Sequence, residues 1–233
     1  MRFLIGFAAL FLAGCNFASI AGSGKLETRT LSLSEFDAIE AGGSFSVDVT
    51  QGSTTSVVVT ADDNLWEHIN IHNDSGTLHL DMDAGSYRDA HLSAKITTPR
   101  LRRLELSGAC TGTMRGIDLP QGRFELEVNG ASTLMHGDLR AGQANVNISG
   151  ASSATLQGQV DEIELDVSGA SHAALGDFPT KSAKVQVSGA SSADIRVTEL
   201  LSYDVSGASH LSFAGNPRVA KGDSSGASDV HGK

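Results

Sequence analysis

The stretch DVSGASHAALGDF at 166–178 decides the fold, because its core SGAS returns at 149–152, 188–191, 206–209 and 225–228. Aligned on the glycine of that phrase, Gly108, Gly130, Gly150, Gly169, Gly189, Gly207 and Gly226 follow one another at intervals of 22, 20, 19, 20, 18 and 19 residues. The residues ahead of each corner read LELSG, FELEVNG, ANVNISG, IELDVSG, AKVQVSG and LSYDVSG, alternating apolar and polar with period two. That is the pattern of a strand with one buried face. A second, shorter alternation follows each corner, in SATLQG, HAALGD, SADIRV and HLSFAG. A unit of this size cannot bury its apolar face alone and must stack on its neighbours. Leucine-rich repeats share the period but need Leu and Asn at fixed offsets, which a β-branched, Ser/Gly-rich unit does not supply. The repeat therefore predicts an all-β, single-stranded parallel β-helix with turns roughly 4.8 Å apart.

Within such a turn the glycine supplies a corner of positive φ. The following alanine (Ala109, Ala131, Ala151, Ala170, Ala190, Ala208, Ala227) is expected to point into a tight corner, and the next serine to form a stacked column bonded to neighbouring turns. Cys110 takes the serine's place in the first unit and reads as a quiet structural thiol. Ile163, Leu165 and Val167 are predicted to face inward on one face, Leu175, Ile195 and Phe213 on a second. The last unit, KGDSSGASDVHGK, keeps the corner but loses its apolar strand, so it is expected to fray or to act as a polar cap.

Residues 25–106 are strand-rich without the period, with one short helix expected around Asn64 to His68 and Trp66 expected to plug the open end of the core. No linker separates them from the repeats, so 28–233 reads as one domain, with 104–233 its regular part.

The first residues, MRFLIGFAALFLAGC, have one positive charge, an apolar run from Phe3 to Leu12 and a small-residue junction. Residues 1–14 read as a secretory signal peptide whose apolar run is too short for a transmembrane helix. Leu12-Ala13-Gly14-Cys15 resembles the bacterial lipobox, which implies acylation of Cys15 and a membrane anchor. Asn16 in place of Asp then points to the outer membrane, and 15–27, including GSGK at 22–25, reads as a lipidated tether. With Cys110 the sole remaining cysteine, an acylated chain has no internal disulfide. The formal net charge of −10 becomes −11 once Arg2 leaves with the signal, which argues against nucleic acid or anionic lipid as a partner and permits cations or basic surfaces.

The segment RTLSLSEFDAIEAGGSFSVDVTQGSTTSVVVTADDNLWEHINIHNDSGTLHLDM, followed by strands punctuated with SGAS, resembles the GIN domain, the head domain of autotransporter adhesins. The likeness covers roughly 29–215 and rests on Phe36, Asp37, Ile39, Val47, Val49, Gln51, Gly52, Ala61, Asp62 and Asn64. It implies a right-handed parallel β-helix in the cell envelope and no catalytic residues.

Counting outward positions gives one column of Glu105, Glu127, Asn147, Asp166, Gln186, Asp204 and Asp223. Two residues earlier runs a mixed column of Arg103, Glu125, Glu164, Lys184 and Lys221. Glu105, Glu127, Asp166 and Asp204 are the candidate ligand- or cation-binding residues, since stacked carboxylates repel unless neutralised. The alternative is a solvated face that keeps a β-rich protein soluble. Glu105 and Glu127 also fall near the roughly 5 Å separation of a retaining glycosidase pair. Sugar-active clefts need aromatic platforms, however, and the chain holds one Trp and two Tyr. His172 and His210 lie two turns apart, too far to share a metal, and His72 and His79 read as a cross-strand surface pair. No metal and no cofactor is expected. The sequence reads as a non-catalytic envelope lipoprotein, a β-helical binding or scaffold module held to the membrane by its anchor, whose partner is an envelope polysaccharide or protein. A purely structural lipoprotein and, behind it, a carbohydrate-active enzyme are the alternatives.

Overall fold

Five long strands, Thr111–Val128, Thr133–Ile148, Ser153–Val167, His172–Val187 and Ser192–Val205, each begin just after one SGAS corner and end just before the next. The structure, a computed structural model, describes residues 19–233; the segment 1–14 read as a signal peptide, and Cys15, lie outside the described residues. Consecutive strands pair in parallel along most of their length, with register shifts where the faces meet, so that the chain forms a right-handed β-helix. Each turn has three faces. The first carries the run ahead of the corner, in the register Leu104, Leu126, Val146, Leu165, Val185 and Tyr203. The second carries the run after it, in the register Leu175, Ile195 and Phe213. The third joins them through Leu119, Ala141, Val160, Thr180 and Val197.

The inward positions follow the alternation. Ile163, Leu165, Val167, Leu175 and Ile195 are buried, and Phe124 and Phe178 fill the wider parts of the core. Burying a Leu, Val or Phe side chain contributes about 1.5–3 kcal/mol, and the stack repeats that contribution at every turn. Thr180, a polar intruder, is satisfied: its Oγ1 donates to Asp161 O at 3.2 Å and Ser182 O at 3.1 Å.

At the corners the seven glycines hold φ between +76° and +82°. The alanine N–H of each turn donates to the glycine carbonyl of the turn before, at 2.7–2.8 Å from Ala131 to Ala227. Positive φ is only half the reason for glycine. A Cβ on Gly169 would sit 2.4 Å from Gly150 O, and one on Gly130 2.6 Å from Gly108 O. Backbones therefore approach as closely as a hydrogen-bonded ladder of carbonyls allows.

The alanines do not point into the corner as expected: Ala109, Ala131, Ala151, Ala170, Ala190, Ala208 and Ala227 are exposed. The left-handed glycine interrupts the two-residue alternation, so glycine and alanine both face out and the serine swings in. Ser132, Ser152, Ser171, Ser191 and Ser209 are at most 3 % exposed. Their hydroxyls form a ladder in which Ser132 Oγ accepts from Cys110 N at 3.2 Å, and Ser152, Ser171 and Ser191 Oγ accept from the serine N–H of the preceding turn at 3.3 Å. Ser171 Oγ also donates to Gly150 O at 3.3 Å. Cys110 continues this column, its thiol donating to Gly42 O at 3.2 Å, and burial pushes its pKa up from 9.0 to about 11.

Before the regular turns the chain does not wind in sequence order. Ala38–Ala41 and Ser46–Gln51 form a turn with its own left-handed corner at Gly43. That turn is wedged between a later one, Thr77–Met82 with Leu92–Thr98, and the first regular turn: Ala41 pairs with both Leu80 and Leu106. Antiparallel strands finish the stack. Leu26–Leu31 pairs with Ser56–Asp62, which pairs with Leu92–Thr98; Ile69–Asp74 pairs with Thr77–Met82. The expected short helix is a 3-10 segment, Asp63–His68, crossing this end of the solenoid. Leu65 is fully buried, and Trp66, expected to be the plug, is half-buried, packed against the core with the Arg29 guanidinium 4.1 Å from its ring centre.

The described part of the expected tether, 19–27, is built into the fold. Ile20–Ala21 pairs in parallel with Tyr87–Arg88, and Leu26–Leu31 begins within it. At the opposite end Arg218–Ser224 and Asp229–Gly232 pair in parallel with the preceding turn while exposing nearly all their side chains, which makes this turn a polar cap.

Candidate binding face

The outward side of the first face carries the predicted column in register: Glu105, Glu127, Asn147, Asp166, Gln186, Asp204 and Asp223. Pairing of Ala38–Ala41 onto Arg103–Leu106 adds Glu40 ahead of Glu105, and His79 stands ahead of Glu40. Sequence reasoning missed both because their turns are threaded out of order. The His79 ring stacks on His72 at a centroid separation of 4.8 Å, and its Nδ1 lies 3.3 Å from Glu40 Oε2.

Arg103, expected merely to interrupt the neighbouring column, instead organises this one. Its Nη2 lies 2.7 Å from Glu105 Oε2, 3.3 Å from Glu127 Oε1 and 3.8 Å from Glu40 Oε1. The hydrogen bond to Glu105 raises the guanidinium's affinity for its proton. Its reach was legible in the residue type, since an arginine spans the lateral distance between columns. Glu105 and Glu127 are thus brought together as predicted, but the space between them is filled by a cation from the same chain rather than open to a metal ion or a sugar. Lys184 and Lys221 neutralise the flank similarly, at 2.6 Å from Glu164 and 2.9 Å from Asp223.

What remains is the middle of the column, Asn147, Asp166, Gln186 and Asp204. Among the described residues neither Asp166 nor Asp204 makes an ion pair within 4 Å. Three turn steps separate Asn147 from Asp204, about 14 Å of flat surface offering alternating amide and carboxylate groups. Two clefts flank it. One, of about 270 Å³, is lined by Arg123, Gln143, Glu162, Glu164, Lys184 and Ser202. The other, of about 120 Å³, lies among Gln186, Tyr203, Asp204 and Lys221. Beside the first, the Gln143 amide links turns, accepting from Arg123 Nη2 at 3.2 Å and donating to Glu162 at 3.0 Å.

Among the described residues no three His, Cys, Asp or Glu side chains are grouped to hold a metal. His172 Nδ1 meets Ser192 Oγ at 2.8 Å and His210 Nδ1 lies 3.2 Å from Asp229, so each histidine has its own partner on the next turn. The arrangement can hydrogen-bond and ion-pair along a rigid line.

A side-chain-filled solenoid presenting polar columns, with its corners locked by backbone hydrogen bonds, defines the class of three-faced parallel β-helices. The chain belongs to the family described as "Putative auto-transporter adhesin, head GIN domain", which matches residues 35–217. Solved structures share the fold. A "putative adhesin" from Bacteroides fragilis NCTC 9343 is 21 % identical, with a TM-score of 0.86 over 92 % of this chain and 100 % of that one. A "putative adhesin" from Parabacteroides distasonis ATCC 8503 is 18 % identical, with a TM-score of 0.74 over 92 % and 100 %. A "putative lipid binding protein" from the same organism is 18 % identical, with a TM-score of 0.69 over 92 % and 99 %. A comparison with curated proteins finds no match.

Proposed function

We propose that the protein is a non-catalytic lipoprotein of the bacterial cell envelope, anchored through acyl chains on Cys15 in the outer membrane. It binds an envelope polysaccharide or protein along the first face. The observation that carries this reading is the stretch Asn147, Asp166, Gln186 and Asp204, whose two carboxylates make no ion pair within 4 Å among the described residues, in a column whose Glu40, Glu105, Glu127 and Asp223 are each paired with an Arg or Lys of the chain. A flat line of amide and carboxylate groups at fixed spacing suits a linear partner rich in hydroxyl, amide or ammonium groups. Family membership supports a surface-binding role, and the lipobox at 12–15 supports the anchor. The lipid binding named for one solved neighbour fits the same picture if the lipid is the anchor and its bilayer. The core here is occupied by its own side chains.

The test is retention of envelope polysaccharide and membrane protein fractions on immobilised chain 19–233, read by sugar analysis and mass spectrometry. Asp166→Ser with Asp204→Ser abolishes retention, whereas Glu105→Ser with Glu127→Ser, whose carboxylates already face Arg103, weakens it far less. Equal retention by all three forms would remove the face from consideration, and no retention by the folded parent would leave the purely structural reading.

A further inference from the structure

The residues that resemble linker, Gly22 to Lys25, are held by a clasp. Asn64 Nδ2 donates to Ala21 O at 2.8 Å and Asn64 Oδ1 accepts from Ser23 N at 2.9 Å. Asp62 Oδ1 accepts from Gly24 N at 2.7 Å, and Asp63 accepts from Ser23 Oγ at 2.7 Å while pairing with Lys25 Nζ at 2.9 Å. Asp63 N donates in turn to Lys25 O at 2.8 Å. With the pairing of Ile20–Ala21 on Tyr87–Arg88, the chain is fixed from Ile20 onward.

That leaves five residue steps between Cys15 and the fold, which reach about 17 Å at most whatever their conformation. Without both the clasp and the Ile20–Ala21 pairing the first held residue would be Leu26, eleven steps away and about 38 Å. The clasped end is also the closed end of the solenoid, where Leu26–Leu31, Ile69–Asp74 and the 3-10 segment are outermost. It presents Leu26, 54 % exposed, the exposed ammonium of Lys25, and Trp66 beneath Arg29. Lys25 is paired with Asp63 and Arg29 with Glu27, so it is the apolar Leu26 and the Trp66 indole that suit the boundary between headgroups and hydrocarbon.

We propose that this closed end is a membrane-docking surface: the Asp62–Asp63–Asn64 clasp seats it on the bilayer, so that the SGAS turns stand away from the membrane. The proposal rests on acylation of Cys15. From Gly43 the corners rise three turn steps to Gly150 and six to Gly207, about 14 and 29 Å, which sets the Asn147–Asp204 stretch at that distance along the axis from the Gly43 turn.

Trp66 is the single tryptophan of the chain and lies at this end, so its fluorescence reads the seating directly. Full-length protein purified from membranes is reconstituted in phosphatidylethanolamine/phosphatidylglycerol vesicles with and without a headgroup nitroxide lipid. Its acylation is checked by mass and its attachment by flotation. The nitroxide is expected to halve Trp66 emission at least. Asn64→Ala and Asp63→Ala combined with Ile20→Pro, which also removes the Ile20 N–H bond to Ser86 O, lengthens the free chain and is expected to restore most of the emission while circular dichroism stays unchanged. A dye on Arg140→Cys, on the third face, is expected to remain bright. Unquenched Trp66 in protein that is acylated and floats overturns the seating and leaves the anchor standing. Quenching unchanged by the clasp variant, or strong quenching at position 140, overturns the clasp or the end-on orientation respectively. An unacylated mass overturns the anchor itself.

Discussion

Replacing Gly169 by alanine separates two reasons for a corner glycine that are usually confounded. Gly169 has φ +82°, and its added Cβ would fall 2.4 Å from Gly150 O and 3.0 Å from Gly150 N, both backbone atoms in the hydrogen-bonded ladder. The left-handed conformation costs an alanine about 1–2 kcal/mol. Pushing two ladder backbones apart by several tenths of an ångström adds the cost of overpacking, about 1–3 kcal/mol. Gly76→Ala is the control. It has φ +86° in the turn between Ile69–Asp74 and Thr77–Met82, with no atom within 4 Å of the added Cβ. It bears the conformational cost alone. For chain 19–233 each kcal/mol shifts the melting temperature by about 2–4 °C. Gly169→Ala, at about 2–5 kcal/mol in all, should therefore lower Tm by about 4–20 °C, and Gly76→Ala, at about 1–2 kcal/mol, by about 2–8 °C. The assay is thermal and urea unfolding of both variants beside the parent. Equal losses would refute the claim that close approach of successive corners, beyond positive φ, selects glycine.

The serine ladder makes a related prediction. Ser171→Ala strips the buried Ser152 N–H of its acceptor and should cost about 1–3 kcal/mol, with hydrogen exchange quickened first at residues 150–152. Cys110 is ionised more easily in the unfolded chain than in the fold, because burial raises its pKa from 9.0 to about 11. The folded state thus holds the proton longer, stability is level below about pH 9 and falls between there and about pH 11, and Cys110→Ala should flatten that limb in urea titrations at stepped pH. Asp62 is shifted the other way, chiefly by the hydrogen bond from His91 N and helped by that from Gly24 N. Its contribution is present above the ordinary carboxylate range and lost as pH falls through the lowered value, so proteolysis at 20–25 should accelerate in acid, and Asp62→Asn should show that acceleration already at pH 7. Arg103→Gln leaves Glu40, Glu105 and Glu127 facing one another. Millimolar Ca²⁺ should raise the Tm of that variant and not of the parent.

Much of the fold was legible because a solenoid repeats its local physics. The interval between glycines gave the turn, and the alternation ahead of each gave an outward column that the register reproduces residue by residue from Glu105 to Asp223. What was misread has specific causes. Alternation assigns sides only while the backbone stays extended, and one left-handed residue shifts the count, which is why the alanines came out, while the expected serine column formed. Alternation is also blind to direction: SVVVTAD and INIHNDSG look like rungs but pair antiparallel, as caps. The corner at Gly43 escaped notice because Phe45 stands where the later corners have Ser or Cys, and because the next corner, Gly108, comes only after the chain has built the turn below.

The candidate site was legible in position and not in charge balance, and the difference follows from reach. A column assignment places Cβ atoms, while the charge of Arg103 lies at the end of a long side chain that crosses to the next column and meets three carboxylates from three turns. Short side chains cannot cross in this way, so Asp166 and Asp204 keep their carboxylates on their own line, flanked by Asn147 and Gln186 whose amides carry no charge. Residue length, as much as charge, thus divides the first face into a self-neutralised part near the closed end and a part with hydrogen-bonding capacity to spare farther along the axis. If the closed end is seated on a membrane, that second part is also the part held away from it, where a partner from the envelope can reach it.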